Sequence, residues 1–221
     1  NTAVGVRNIP RRRAQTVLII VGLMLSTVII STAFSIGDTV NYSITNQAYG
    51  RLAHIDETVQ AATGDNGGDL FSASSAVSAK PIPQGQADQF VEAFKAVEGV
   101  DGAVTVIRAP VPASNPRAGQ TEPFAILVGV DGTNMTAFPD IESTNGTVLS
   151  VDTLARDEIY ANSSAADKLD IIKGDKIIIF VAGQPNLFTV KEIVKDRALT
   201  GAAAGIMKGF TLSLARAQEL L

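Results

Sequence analysis

The feature that most constrains this chain is an apolar run close to its N-terminus, directly after the arginines Arg11, Arg12 and Arg13. Thr16–Ile36 contains no charged residue and no proline over 21 positions. As an α-helix, this run would be about 31 Å long, close to the roughly 30 Å hydrocarbon thickness of a bilayer. We therefore predict a transmembrane helix over residues 16–36.

Two other interpretations of the run remain open at this point. A secretion signal usually has an apolar segment of about 7–15 residues that ends in a small-x-small cleavage site. Ser31–Ser35 gives only a weak match to such a site. A helix in the core of a globular protein seldom stays uncharged on every side for six turns. The length of the run favours a retained membrane helix over both.

Charge divides the chain at the same place. The residues up to Ile36 carry four arginines and no acid, for a charge of +4, whereas the rest of the chain carries −8. Positive charge stays on the cytoplasmic side of a membrane, so Arg11, Arg12 and Arg13 would place residues 1–15 inside the cell. We expect a protein of the cell membrane (inner or plasma), with everything after about Gly37 outside. The acidic remainder offers no basic face for nucleic acid.

The predicted span carries small residues at helical spacing. Thr27, Ser31 and Ser35 recur at steps of four and so share one face, and Gly22 and Ser26 form a second small-xxx-small pair. Small residues let helices approach closely in lipid, so these five positions are candidate packing sites for partner helices. The alternative is that serine and threonine are merely tolerated there.

The first half of the outer part has mixed local patterns. A polar stalk at residues 37–50 could continue the helix, and the ectodomain would span residues 51–221. The patterns predict a strand at 51–60, a loop at 63–86, an amphipathic helix at 87–97 that ends at Gly99, and strands at 102–111 and 124–131 joined by a turn.

The second half is richer in strands. The predicted elements are a short strand at 158–161, a helical turn at 163–169 capped by Ser163 or Ser164, strands at 176–181 and 187–194, a Gly/Ala-rich loop at 198–209, and a strand that leads into a helix near Ser213. The expected class is α+β, as one unit or as two lobes with a seam near Ser150, the second lobe being a small curved sheet or partial barrel. Because the last helical pattern has no stop signal before Leu221, we also expect a piece of a longer protein.

No catalytic or cofactor motif is visible. The only histidine, His54, lies two residues before Asp56, and an exposed histidine is the ordinary explanation for that pattern. With one His and no Cys, zinc sites of the usual spacing are excluded. The chain has no P-loop motif, and Asp65–Asp69 offers only a weak calcium pattern. We expect no catalytic, cofactor or metal residues, no cofactor, and no enzyme activity in this chain.

Four stretches, in order, resemble the FtsX/MacB-like permeases of ABC transporters. The first is "NIPRRRAQTVLIIVGLMLST" (Asn8–Thr27), with an Asn-x-x-Arg-Arg entry and an early glycine, and it is similar to the first span of the family. The others, similar to the extracytoplasmic core domain, are "VEAFKAVEGVDGAVTVIRAPV", "EIYANSSAADKLDIIKGDKIIIF…LFTVKEIVKD" and "FTLSLARAQELL". The Gly/Ser-rich stretch at residues 63–86 has no counterpart.

The resemblance implies partners as well as a fold. Such permeases pair with a separate cytoplasmic ATPase subunit, usually as dimers of the permease, and ATP-driven motion inside the cell changes the shape of the ectodomain outside. The ectodomain would then act on a lipoprotein, peptide, drug or cell-envelope partner, with or without an adaptor. The competing interpretation is a single-pass, membrane-anchored sensor or adaptor ectodomain, and a membrane-anchored hydrolase is a third.

Overall fold

The computed structural model describes residues 13–59, 81–138, 141–202 and 208–221. The chain divides into two units, Asn1–Tyr49 and Gly50–Leu221. The Asp65–Asp69 segment and most of the predicted loop at 63–86 lie outside the described residues.

A single long helix, α1 (Arg13–Leu52), forms the described part of the first unit and ends just inside the second. It contains the predicted span and runs on through the predicted stalk. Ala14–Asn46 is long and apolar enough to cross a membrane, and none of its most apolar window is buried. The core-helix interpretation is therefore excluded for the described residues. The helix ends where Ala53 takes a left-handed conformation (φ 51°).

The second unit is built on a closed sheet of six strands. Its elements are α2 (Gln84–Lys95), β1 (Val106–Asn115), β2 (Gln120–Val130), β3 (Glu158–Asn162), α3 (Ser163–Leu169), β4 (Lys176–Val181), β5 (Gln184–Val194), β6 (Gly209–Ser213) and α4 (Leu214–Leu220). Around the barrel the strand order is β1-β2-β6-β3-β5-β4. β2–β6 and β3–β5 are parallel, and the other four pairs are antiparallel.

Alternation along the strands gives the sheet two apolar faces. Ala125 and Leu127 of β2 belong to the core inside the barrel, where Phe188 and Phe210 are the largest side chains. Ile126 and Val128 point the other way, into a second cluster on the outside of the sheet. A strand covered on both faces is a near-continuous apolar run, as "FAILVGV" is.

The outer cluster is covered by the connections rather than by a long helix. Ile55, which follows α1, packs there with Phe138, Ile141 and Leu199. Tyr160 of β3 also contributes its ring, while its hydroxyl donates to the carbonyl oxygen of Ser150 at 2.9 Å. Residue 55 and the connections at 131–138, 141–154 and 198–200 are thereby held against the outside of β2 and β3.

α4 packs closely on β2, and glycine makes this possible. A Cβ atom on Gly129 would lie 2.2 Å from the Cβ of Ala217, so only glycine fits at this crossing. The helix begins near Ser213, as predicted, and the Ser213 side chain caps α4 by accepting from the N–H of Arg216.

Several element boundaries differ from the predictions. Residues 53–59 form a turn and irregular chain instead of a strand, with only Ile55 buried. The amphipathic helix starts at Gln84, inside the predicted loop, and β1 is shifted to Val106–Asn115. β2 begins at Gln120, before the predicted start, because its first residues pair with the end of β1 across a tight turn.

The cap of α3 and the two-lobe alternative also differ. Oδ1 of Asn162, and neither Ser163 nor Ser164, accepts from the N–H of Ala165 and so caps α3. The division near Ser150 is not confirmed, because β2 pairs with β6 and β1 with β4, across that position. The predicted partial barrel is instead closed, and it draws strands from both sides of the proposed seam.

Candidate functional site

The second unit contains a groove of about 1070 Å³ on the outside of the barrel. Its walls come from residues 53–59, α2, residues 97–110 and the end of α4. Binding sites for small ligands are usually concave, mostly apolar and about 300–1,000 Å³ in volume. The groove therefore has the size and the character of a ligand site.

The apolar face of α2 forms one wall. The predicted amphipathic helix is present, but only Val91 on its apolar face is buried. The rings of Phe90 and Phe94 stack with their centroids 6.4 Å apart, and Phe90 keeps 45% of its surface exposed. Val97, just beyond the helix, is 52% exposed. An apolar helix face of this kind normally packs against other parts of a protein. Within the described residues, much of this face is exposed to solvent.

Arg108 is the only cation among the residues of the opposite wall. It lies on β1, opposite Val128 and one residue from Ile107, and the other residues from 106 to 113 are apolar. Its Nη2 atom makes a long hydrogen bond of 3.4 Å to the carbonyl oxygen of Ala198. Its Nε atom is fully buried and has no hydrogen-bond partner among the described residues. Burial lowers the pKa of Arg108 from its ordinary value, because the charged form loses hydration there.

The mouth of the groove is acidic. Asp56, Glu57 and Asp101 line it, and all three side chains are exposed to solvent. No acid contributes to the pKa shift of Arg108, whose cause is burial alone. The groove thus combines a solvated acidic mouth with an apolar interior that contains one guanidinium without a counter-ion among the described residues.

His54 also lines the groove, where its side chain is exposed. Asp56 is exposed as well, and the buried residue between them is Ile55. In the described part of the chain, no group of three or more His, Asp or Glu side chains could hold a metal ion. The expectations of no cofactor and no catalytic residue remain predictions.

The predicted membrane residues lie on or before α1. Arg11 and Arg12 are outside the described residues, and Arg13 is the first residue of the helix. The five small residues are all within α1 and are exposed: Gly22, Ser26, Thr27, Ser31 and Ser35. The Thr27 hydroxyl donates to the carbonyl oxygens of Leu23 and Met24, at 3.1 and 2.9 Å, so its own helix satisfies it. The roles of these residues in topology and packing stay predictions.

The sequence interpretation missed Arg108 and the groove. The available signal was a single charge in "GAVTVIRAPV", where the other residues are apolar or small. That pattern indicates a cation on the covered face of a strand. The pattern does not predict that the elements packed over this strand leave a groove beside the arginine.

Comparison with known proteins finds similarity among solved structures. No family model matches the chain, and no curated protein matches it. Among solved structures, the chain is similar to the crystal structure of the periplasmic region of MacB from Actinobacillus actinomycetemcomitans, with 11% identity and a TM-score of 0.42. The match covers 60% of this chain and 57% of that one. At this level the similarity transfers no residue role and no activity.

Proposed function

We propose that this chain is the first span and the extracytoplasmic domain of an ABC transporter permease of the FtsX/MacB-like type. The observation that carries the proposal is the order of two parts: a 40-residue helix with an uncharged, exposed apolar segment, followed along the chain by a mixed barrel domain. A charge-free apolar stretch of this length is stable in a bilayer and costly to expose to water.

The stretches that carry the family resemblance support the proposal, because the last two of them coincide with whole structural elements. The first stretch enters α1. The segment from Glu158 to Asp196 is β3, α3, β4 and β5, and the last stretch is β6 and α4. The four strands among these lie next to one another in the barrel order, as β6-β3-β5-β4. A resemblance scattered by chance would not follow a continuous part of one sheet.

The unbroken helix supports a coupling role. At 1.5 Å per residue, the 40 residues of α1 make a rod of about 60 Å, twice the hydrocarbon thickness. On our proposal the positive end lies in the cytoplasm beside an ABC ATPase, and the helix extends past the outer membrane surface. Movement imposed by the ATPase on the inner end would then reach the outer end without a hinge. The partners would be the ATPase, a second permease copy, the bilayer, and an extracytoplasmic substrate or adaptor.

The test of this function is purification of the native full-length protein from its own membranes, followed by identification of subunits that remain bound. The proposal predicts an ATP-binding-cassette subunit in fixed ratio to the permease, and ATP hydrolysis that vanadate inhibits. A matched preparation, in which Arg11, Arg12 and Arg13 are all replaced by Gln, should lose the correct orientation and with it the ATPase.

A second function is favoured by the groove itself. A single-pass anchored binding module would also need a span and an ectodomain with a ligand site. Purification would distinguish the two: a protein that inserts with the proposed orientation and carries no ATPase would be the anchored module, and the permease proposal would be wrong.

A further inference from the structure

The groove holds a combination that apolar packing alone does not explain. Arg108 is a permanently charged, half-buried side chain in an apolar wall, and no acid among the described residues contributes to its pKa. The hydrogen bond it makes within the described part of the chain is the long one to Ala198. A charge that is held partly away from water without a counter-ion destabilises a fold. The presence of Arg108 in this wall is explained if a ligand bound in the groove pairs with its guanidinium.

The chemistry of the partner follows from the guanidinium and its surroundings. Arginine has five N–H donors and no acceptor, in a planar fork that matches a carboxylate. In the low-dielectric interior, an anion next to Arg108 would gain far more than one at the solvated mouth. Asp56, Glu57 and Asp101 cannot supply it, because they are exposed at the mouth and have no effect on the pKa of Arg108.

The rest of the occupant must be apolar. Phe90 and Val97 present exposed apolar surface along one side of the groove, where the half-buried Phe94 stacks on Phe90. Burying such surface contributes about 25 cal/mol per Å². A small anion such as phosphate or acetate would pair with Arg108 and leave this surface uncovered. A long alkyl chain that carries one anionic group would cover it.

We propose that the groove binds a long-chain fatty acid, with its carboxylate on Arg108 and its alkyl chain along the apolar face of α2. This site does not depend on the permease assignment, since an anchored binding module could use it equally well.

Arg108→Met is the decisive variant. It retains the volume and apolar character of the wall and removes the charge. Because it also removes an unpaired buried group, we expect the fold to be at least as stable as the wild type. Lys176→Met is the matched control, because Lys176 is an exposed cation on β4 that does not line the groove.

The experiment uses the whole chain in phosphatidylcholine nanodiscs and palmitate that carries a photoreactive diazirine. After illumination, mass spectrometry maps the labelled peptides. We expect adducts on residues 90–97 and 104–110, which unlabelled palmitate displaces about tenfold better than hexadecanol, as the loss of one charge-assisted hydrogen bond would require. Arg108→Met should lower this labelling by a similar factor and abolish the preference for the acid, and Lys176→Met should change neither.

Three results would overturn the proposal. Labelling confined to α1 would mean that the probe only partitions into the bilayer. Equal displacement by palmitate and hexadecanol would mean that Arg108 does not bind the carboxylate. Unchanged labelling of the groove in Arg108→Met would mean that the site takes any apolar molecule, such as a peptide side chain or a detergent.

Discussion

The Nε atom of Arg117 lies 2.8 Å from Oδ1 of Asp175, and this pair joins the β1–β2 turn to the turn that precedes β4. The Asp175 carboxylate is buried, and it also accepts from the N–H of Ile172 and from the side-chain amide of Asn115. One carboxylate therefore fixes the point at which the first hairpin meets the later strands, where β1 and β4 close the barrel.

We predict that Asp175→Ala destabilises the barrel, because it leaves several donors without an acceptor. Burial raises the pKa of Asp175, but the hydrogen bonds from Arg117, Ile172 and Asn115 outweigh it and hold the pKa below its ordinary value. The expected loss in the free energy of unfolding is about 2–3 kcal/mol. Urea unfolding of the whole chain, followed by hydrogen exchange of the β4 amides, would measure it.

The same pKa shift predicts a dependence on pH. A carboxyl group whose pKa is lowered by folding stabilises the protein above its unfolded pKa of about 3.9, and this contribution is lost as pH falls through the folded value. The wild type should therefore exceed Asp175→Asn in stability above about pH 5, and the difference should shrink below about pH 4. A difference that stays constant from pH 6 to pH 3 would contradict the role given to the charge.

Asn162 is predicted to be a second essential side chain. Its Oδ1 accepts from the N–H of Ala165, at 2.9 Å, and from the N–H of Gly209, at 3.0 Å, so it caps α3 and ties β3 to β6. Asn162→Ala should lower the free energy of unfolding by about 2 kcal/mol, from the loss of a cap and of a buried partner. Ser163→Ala is the matched control and should change it by less than about 0.5 kcal/mol. A larger loss of stability in Ser163→Ala than in Asn162→Ala would support the serine cap that was predicted from the sequence.

Local sequence signals predicted the strand-rich second half of the chain well. "KIIIFV" and the Gly-Asp turn before it set the bounds of β4, and α4 begins near Ser213 as predicted. These signals depend on a few neighbouring residues, so contacts with distant parts of the chain do not change the local structure that they predict. The long apolar run likewise predicted the helix that became α1, since no proline or charge interrupts it.

The errors arose where contacts between distant residues decide the structure. Asn162, rather than either of the two serines, caps α3. Its side chain also accepts a hydrogen bond from the N–H of Gly209, 47 residues later in the chain. Closure of the barrel depends on the pairing of β1 with β4 and of β2 with β6, which no local pattern records. Residues 53–59 alternate like a strand, but Ile55 covers the outer face of the sheet, and no described strand pairs with these residues.

The small residues of α1 give a prediction for the native membrane protein. Ser31 and Ile29 are 160° apart around a helix with 100° per residue. If the face of Thr27, Ser31 and Ser35 packs on partner spans, a spin label on Ser31→Cys should meet less oxygen than one on Ile29→Cys, because oxygen is concentrated in lipid. Equal oxygen accessibility at the two positions would mean that the small residues do not mark an interface.

The most direct test of our account is the orientation of the chain in the membrane. Because the chain has no cysteine, single replacements can be labelled without background. Thr2→Cys and Asp101→Cys, each in the full chain in intact cells, would be treated with a maleimide that cannot cross membranes. We predict labelling of Asp101→Cys at once and of Thr2→Cys only after the membrane is opened. Labelling of Thr2→Cys in intact cells, or protection of both positions, would contradict a cytoplasmic N-terminus and an extracytoplasmic barrel.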